Sequence, residues 1–170
     1  MSYSVICDNL IKTEELAKKF ASAICDIGAF VSMFGDVGAG KTAFARFVCK
    51  YLDVKEKVTS PSFVIINEYK SGKIPVYHFD LYRLENEGIS TIINELEEYS
   101  EGKILTFVEW AQFSQDTVPF DRIELNINYI NENKREFVFS AVGAKSEKIL
   151  KRLMNLWKHW FLTLVLIKLT

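Results

Sequence analysis

AFVSMFGDVGAGKTAFARFV, residues 29–48, joins a short apolar run to a glycine-rich loop and then to an amphipathic segment. The first six residues are nearly all apolar, as in a strand that is buried on both faces of a sheet. After the loop, Phe44, Phe47 and Val48 fall on one face of a helix. A buried strand, a glycine loop and a helix in this order predict an α/β architecture.

The loop matches the template G-x-x-x-x-G-K-[S/T] at every fixed position. Its glycines let the backbone turn so that N–H groups cradle phosphate oxygens, and the next helix adds its positive N-terminal end. A junction that only needs glycines is the alternative, but four matched positions in this setting favour a nucleotide. The predicted nucleotide-binding residues of the loop are Gly35, Asp36, Val37, Gly38, Ala39, Gly40, Lys41 and Thr42. Within this set, Lys41 reaches the β- and γ-phosphates and the Thr42 hydroxyl holds Mg²⁺.

The rest of the chain alternates strands with helices and then forms a hairpin. Helices are predicted from Thr13, which is expected to cap the first one, over residues 89–99, and from about Ser146. This order predicts a P-loop NTPase-like, three-layer α/β fold with a mixed, partly parallel central sheet and a late antiparallel hairpin. We assign residues 1–145 to this domain and residues 146–170 to a helical extension that is not an independent domain. The predicted strands are residues 3–7, 29–34, 62–69, 74–82, 103–110, 122–129 and 135–142.

Composition limits the classes of protein to which the chain can belong. It has 170 residues and a net charge of −1, so no overall basic field favours a free-standing DNA or RNA binder. Its three cysteines are widely spaced, which fits a reducing compartment and neither a disulfide framework nor a zinc site. No secretory signal is visible, and the apolar stretch near the C-terminus is shorter than the ~20 residues that span a bilayer. We expect a cytoplasmic protein that binds neither DNA nor a membrane.

Two carboxylates end apolar segments that are predicted to be strands. Asp80 closes VYHFD and Glu109 closes LTFVE, and a P-loop NTPase needs such acids to position Mg²⁺ or water. Lys41, Asp80 and Glu109 are therefore the candidate catalytic residues, and Thr42, Glu109 and Asp80 are the candidate magnesium ligands. Physics alone does not divide the roles of the two acids. His78 alternates onto the face of Asp80, but a packed, hydrogen-bonded core histidine is the favoured interpretation.

Residues 59–63, TSPSF, supply hydroxyl groups between the P-loop helix and the next strand. They form either a loop that senses the γ-phosphate or an ordinary Ser/Pro turn. Other P-loop classes have less support. The segment NKRE at residues 133–136 lacks the aspartate of the guanine-reading NKxD element, and the few scattered arginines do not form the lid of a small-molecule kinase.

Four segments in this order and spacing resemble the bacterial TsaE (YjeE) family: GDVGAGKTAFAR, VTSPSFVIINEY, VYHFDLYRL and FVEWAQ. The resemblance runs from about residue 4 to residue 144. It implies Mg²⁺-ATP binding and slow ATP hydrolysis, coupled to the TsaB–TsaD complex in tRNA threonylcarbamoyladenosine (t6A) synthesis. The tRNA would be met only indirectly, through that complex.

The resemblance also implies roles for individual residues. Glu109 corresponds to the magnesium-associated Walker B acid and Asp80 to the acid needed for hydrolysis. Thr59 and Ser60 belong to the switch at residues 59–62, which senses the γ-phosphate. Thr13, with Lys134 and Arg135, matches family positions near the adenine.

Three functional hypotheses follow. The favoured one is an ATPase subunit of the t6A machinery, which drives its partner complex through ATP binding and hydrolysis. The alternatives are a small-molecule or protein phosphotransferase that uses the same P-loop, and a non-catalytic, nucleotide-dependent binding module. Family members commonly end soon after REFVFSAVG, whereas this chain continues for about 25 residues whose role the resemblance does not explain.

Overall fold

The strand, loop and helix predicted around residues 29–48 are present in the computed structural model. The structure describes residues 1–84, 92–114 and 117–167, without the side chains of residues 93, 113, 114 and 159–167. The helices are α1 (Leu10–Ile24), α2 (Lys41–Tyr51), α3 (Ile93–Glu98) and α4 (Ala144–Ile167), with a short 3₁₀ helix at Ala111–Ser114. The strands are β1 (Ser2–Cys7), β2 (Ala29–Phe34), β3 (Ile66–Tyr69), β4 (Val76–Asp80), β5 (Leu105–Glu109), β6 (Arg122–Tyr129) and β7 (Arg135–Val142).

Within the described residues, seven strands form one sheet in the order β1-β7-β6-β2-β5-β4-β3. The central strands β6, β2, β5 and β4 are parallel, and β1, β7 and β3 pair antiparallel at the two sides. The hairpin β6–β7 has the bounds that its alternating polarity predicts. The mixed, partly parallel sheet with a late antiparallel hairpin is therefore confirmed.

The two faces of the sheet are covered by different helices, which gives the three layers that we predicted. Val31 and Phe107 face one cluster, which includes residues of α1, α2 and α4. Phe30 and Val108 point the other way, into a smaller cluster that includes Leu96 of α3. Because successive side chains of a strand alternate between faces, a strand covered on both sides must be apolar at nearly every position.

Aromatic packing fixes the helices against the hairpin. The ring of Phe44 in α2 lies 5.7 Å from that of Phe20 in α1 and 5.5 Å from that of Phe137 in β7, centroid to centroid. All three side chains are buried. Aromatic pairs at such distances stabilise the fold beyond the burial of their area, so α2 and the loop before it are held firmly on the sheet.

The start of α1 differs from the prediction. The helix begins at Leu10, and its N-cap is Asn9, whose side chain accepts a hydrogen bond from the Lys12 amide at 2.9 Å. Thr13 is a buried residue inside the helix and donates its hydroxyl to the Asn9 carbonyl at 3.3 Å. Leu10 and Ile11 are exposed, so the buried apolar pattern begins later than the helix does. The assignment of Thr13 as the cap was wrong for this reason.

The third strand is also shorter than predicted. Residues 62–65 form a turn, in which the amides of Val64 and Ile65 both donate to the Pro61 carbonyl, at 2.9 and 2.8 Å. Ile65 has a φ of 68°, which takes the chain out of the turn and into β3 at Ile66. The apolar run after Pro61 predicts an extended chain, but residues 62–65 bend back as a turn.

The helix α4 continues across the predicted division at residue 145. Its buried side chains Ile149, Leu150, Leu153 and Trp157 belong to the same core as α1 and α2. Residues 89–91 of the helix predicted at 89–99 lie outside the described part of the chain. Among the described helices, none is long and apolar enough to cross a membrane.

An aspartate from another element caps the N-terminus of α4. The Asp121 carboxylate accepts hydrogen bonds from the amides of Lys145 and Ser146, at 2.8 and 2.9 Å, and from the Ser146 hydroxyl at 2.6 Å. Gly143 has a φ of +92°, and a Cβ atom there would lie 2.5 Å from the Asp121 carboxyl carbon. A glycine at the cap position therefore lets the carboxylate approach the helix end.

Replacing Asp121 by alanine should lower the free energy of unfolding by about 1–2 kcal/mol, the usual loss when an N-cap acceptor is removed. Burial raises the pKa of Asp121, but the hydrogen bonds from Ser146 and Lys145 together outweigh it, so the pKa lies below its ordinary value. A carboxylate of this kind stabilises the fold above its unfolded pKa, about 3.9, and loses that effect as the pH falls through its folded pKa. The difference from wild type should thus shrink below about pH 4.

Urea unfolding at several pH values measures this difference. Asp26→Ala is the matched control, since Asp26 also contacts α4, through an exposed ion pair with Arg152 at 2.6 Å. Its loss should be only about 0.2–1 kcal/mol. Equal losses in the two variants at neutral pH would contradict the capping role of Asp121.

Candidate functional site

The glycine loop lies between the end of β2 and the start of α2, as its sequence predicts. Gly35 has a φ of 136°, and a Cβ atom there would lie 2.6 Å from the Ile127 carbonyl oxygen of β6. Gly40 is the N-cap of α2 with a φ of 114°. Only glycine adopts these conformations without strain, so the loop can pass close to the sheet and then turn into α2.

Lys41 folds back onto this loop. Its ammonium donates to the carbonyls of Gly35 and Asp36, at 2.6 and 3.1 Å, and lies 4.8 Å from the centre of the Trp110 ring. Only 5% of the residue is exposed. Burial lowers the pKa of Lys41, while the nearby carboxylates of Glu109, Asp80 and Asp36 act in the opposite direction. A buried cation so close to its own loop is available to a negatively charged group that enters the same space.

The two acids meet at the carboxyl ends of neighbouring strands. In the parallel pairing of β4 with β5, Asp80 is the direct partner of Glu109. The Thr42 hydroxyl in the first turn of α2 donates to Glu109 Oε1 at 2.8 Å. Both acids are buried. The structure thus brings Lys41, Thr42, Asp80 and Glu109 together around the head of α2.

The loop at residues 59–63 is tied to Asp80. Asp80 Oδ2 accepts the hydroxyls of Ser60 at 3.1 Å and Ser62 at 2.6 Å, and Oδ1 accepts the Tyr82 amide at 3.1 Å. Thr59 does not share this contact. Its backbone pairs instead with the side chains of Tyr69 and Asn67. The hydroxyls that contact Asp80 are therefore those of Ser60 and Ser62, and not that of Thr59.

A cavity of about 610 Å³ opens over these groups, within the usual range for small-molecule sites. Besides the loop and the two acids, it is lined by Ser60, Ser62, Phe63, Tyr82, Arg83 and Trp110. A second cavity of about 420 Å³ lies on the other side of Gly38 and Gly40. Thr13, Arg135 and Phe137 line it, and a further cavity of about 640 Å³ adjoins residues 35–39 of the same loop on the side of β6.

Arg135 connects the hairpin to the loop. Its Nε donates to the Ala39 carbonyl at 3.1 Å, and its Nη1 donates to the Asn131 carbonyl at 2.6 Å. Its guanidinium carbon lies 4.4 Å from the centre of the Tyr129 ring. The sequence placed Arg135 near a nucleotide only by resemblance, and nothing in its pattern predicts this bond to the loop backbone.

His78 is the polar group whose contact the sequence did not predict. It is fully buried, and its Nε2 lies 2.9 Å from Glu109 Oε1. The alternation of β4 puts His78 on the face of Asp80, and this was the available signal. The interpretation as a packed, hydrogen-bonded core histidine accounts for its burial and for a hydrogen bond, but it did not identify Glu109 as the partner.

The oxygen donors beside the loop fit a cation that brings other ligands with it. Among the described residues, no group of three or more His, Cys, Asp or Glu side chains could hold a metal ion by itself. Thr42, Glu109 and Asp80 offer hard oxygen atoms beside the loop. Mg²⁺ prefers such oxygens and is usually bound by one or two carboxylates together with substrate phosphates. The residues therefore fit a magnesium ion that arrives with a phosphate ligand.

Comparison with known proteins agrees with this architecture. The model of the family described as "Threonylcarbamoyl adenosine biosynthesis protein TsaE" matches residues 7–137. The crystal structure of YdiB from Bacillus subtilis superposes with a TM-score of 0.77 at 31% sequence identity, over 91% of this chain and 95% of that one.

Two curated relatives share the name tRNA threonylcarbamoyladenosine biosynthesis protein TsaE. The protein from Bacillus subtilis (strain 168) is 35% identical over 142 residues, which are 84% of this chain and 87% of that protein. The protein from Nostoc sp. (strain PCC 7120) is 36% identical over 113 residues, which are 64% of this chain and 68% of that protein. This chain therefore belongs to the TsaE family of tRNA threonylcarbamoyladenosine biosynthesis proteins.

Proposed function

We propose that this chain is an ATPase that binds Mg²⁺-ATP at residues 35–42 and hydrolyses it to ADP and phosphate in tRNA t6A modification. The observation that carries the proposal is the convergence of Lys41, Thr42, Asp80 and Glu109 on one cavity at the head of α2. One cation, one hydroxyl and two carboxylates around a loop of inward amides are the parts that phosphoryl transfer requires.

The residues take different parts in this reaction. When ATP binds, the Lys41 ammonium leaves the loop carbonyls and donates to β- and γ-phosphate oxygens. The amides at the start of α2, at the positive end of the helix dipole, also attract the phosphates. Thr42 and Glu109 hold the magnesium ion, which neutralises charge on the phosphates. Asp80 orients the attacking water. Ser60 and Ser62 respond to the γ-phosphate, and their hydrogen bonds to Asp80 link its position to that response.

The second cavity receives the base of the nucleotide. It adjoins the loop at Gly38 and Gly40, and Thr13 and Arg135 lie on its walls. Since Arg135 also bonds the Ala39 carbonyl, a base in this cavity would lie against a residue that fixes the loop. Thr59 lies apart from Asp80, and we propose that it supports the serines rather than binding phosphate directly.

The partner in this proposal is the TsaB–TsaD complex, in the cytoplasm, with tRNA met only through that complex. The net charge of −1 fits a protein partner better than a polyanion. Large apolar side chains are exposed at the mouth of the first cavity: Phe63 is 84% and Val37 is 83% exposed. Contiguous exposed apolar groups are typical of protein contact surfaces, and both of these side chains line the same cavity.

Replacing Lys41 by alanine should weaken ATP binding by about 10- to 100-fold, because one charged hydrogen-bond donor to phosphate is lost. Titration with a fluorescent ATP analogue measures the affinity. Lys50→Ala is the matched control, since Lys50 lies in the same helix but is exposed and paired with Glu14. Unchanged affinity in Lys41→Ala would contradict the assignment of the phosphate site.

Replacing Asp80 by asparagine should slow single-turnover hydrolysis by about 10²- to 10⁴-fold, the usual loss when a group that handles the proton of water is removed. Nucleotide binding should remain, because Lys41 and the loop amides are unchanged. Asp26→Asn, far from the cavity, should match wild type. A loss of binding as large as that of Lys41→Ala would instead make Asp80 part of the phosphate or magnesium site.

Hydrolysis of ATP, measured first alone and then with TsaB and TsaD, tests the function itself. We expect release of inorganic phosphate that increases when both partners are present. Radiolabelled γ-phosphate recovered on another molecule from a cell extract would favour a phosphotransferase instead. Tight binding with no turnover in the presence of both partners would reduce the chain to a binding module.

A further inference from the structure

We propose that His78 is a positioning residue, which holds the Glu109 carboxylate in the orientation that Thr42 and a magnesium ion require. The inference rests on the proposed function and adds a residue to it. Its basis is a hydrogen-bonded chain from His78 through Glu109 to Thr42, which links the interior of the sheet to the first turn of α2.

Strand register puts His78 within reach of Glu109. His78 pairs with Phe107 across β4 and β5, and Asp80 pairs with Glu109, so all four side chains point to the same face. His78 therefore lies one step inside the sheet from the two acids. From that position its Nε2 is 2.9 Å from Glu109 Oε1.

Two donors meet on one carboxylate oxygen. The Thr42 hydroxyl donates to Glu109 Oε1 at 2.8 Å, and His78 Nε2 lies within hydrogen-bond distance of the same atom. An ionised carboxylate has no proton to give, so the bond to His78 needs the proton on Nε2. Oε2 accepts no side-chain hydrogen bond from the described residues. The carboxylate is thus fixed through one oxygen, and Glu109 is one of the residues that line the first cavity.

Core packing does not explain this arrangement. His78 is fully buried, and its Nδ1 has no hydrogen-bond partner among the described residues. Burying a polar group without a partner is costly, and an apolar side chain against Phe107 would avoid that cost. What the histidine supplies, and an apolar residue would not, is the donor to Glu109. Groups that orient a metal ligand in this way commonly change metal affinity or activity by 10- to 100-fold when they are lost.

The test compares variants that keep or remove the donor. His78→Phe fills the space without a donor, and His78→Gln returns an N–H group close to the position of Nε2. Val76→Ala is the control, because Val76 is a fully buried residue of the same strand and the same face, further from the acids. Urea unfolding follows the stability of each variant. Should His78→Phe fail to fold, His78→Asn takes its place. The asparagine side chain is one carbon shorter than that of glutamine, so its amide lies further from Glu109.

The main readout is the Mg²⁺ concentration that gives half-maximal binding of a fluorescent ATP analogue, with binding in EDTA as reference. We expect His78→Phe to raise this concentration by about 10- to 100-fold and leave binding in EDTA unchanged. His78→Gln should recover most of the loss. Val76→Ala should reduce stability with no change in the Mg²⁺ requirement.

A purely structural histidine gives a different pattern. His78→Phe and Val76→Ala would then both lower stability and both retain the wild-type Mg²⁺ requirement, and this result would overturn the inference while leaving the ATPase intact. Equal defects in His78→Phe and His78→Gln would also overturn it, because the donor would have no role. A wild-type chain that binds no nucleotide overturns the proposed function, and the inference with it.

Discussion

The parallel pairing of β2, β5 and β4 is the constraint on which the site depends. Parallel strands end at the same edge of a sheet, so β4 and β5 deliver Asp80 and Glu109 side by side where β2 delivers the glycine loop. Neither acid is near the loop in sequence. A one-residue slip in the pairing of β4 with β5 would turn His78 and Asp80 to the opposite face and separate them from Thr42. Packing opposes such a slip, because the slip would also move Phe79 out of the cluster that it shares with Leu96 of α3 and onto the opposite face of the sheet.

The charged side chains of Lys41, Asp80 and Glu109 at this edge of the sheet are buried, and each is hydrogen-bonded within the chain. A lysine and two carboxylates are buried, and a buried charge is stable only when it is paired or hydrogen-bonded. The ammonium of Lys41 is met by two loop carbonyls, Asp80 by two serine hydroxyls and an amide, and Glu109 by Thr42 and His78. The groups that would act on a phosphate are thus hydrogen-bonded within the chain. The loop carbonyls that Lys41 contacts can be exchanged for a charged ligand without leaving an unpaired charge behind.

The sequence predicted the parts that depend on local chemistry. The loop template, the buried strands that end in Asp80 and Glu109, and the hairpin of β6 and β7 follow from glycine positions and alternation, and the structure has them. The start of α1 and the turn at residues 62–65 were missed, because exposed apolar residues in one case and a proline-led bend in the other do not follow the periodic pattern. Contacts between distant segments, such as Arg135 with Ala39, carry no periodic signal. They become visible only when the register of the sheet is known.

The late part of the chain belongs to the site as much as the loop does. In the hairpin, Arg135 donates to the Ala39 carbonyl of the loop, and Phe137 packs against Phe44 of α2. The hairpin therefore contacts the loop backbone directly and holds the helix that follows the loop. The same hairpin leads through Gly143 into α4, whose N-terminus is capped by Asp121, the residue before β6. Helix α4 follows the Val142 end of β7, whereas Arg135 lies at the opposite end, since Arg122 pairs with Val142 and Tyr129 pairs with Arg135 across the hairpin. Strand β7 therefore carries both the loop's arginine and the connection to α4, and the buried side chains of α4 pack in the same core as Phe44 and Phe137.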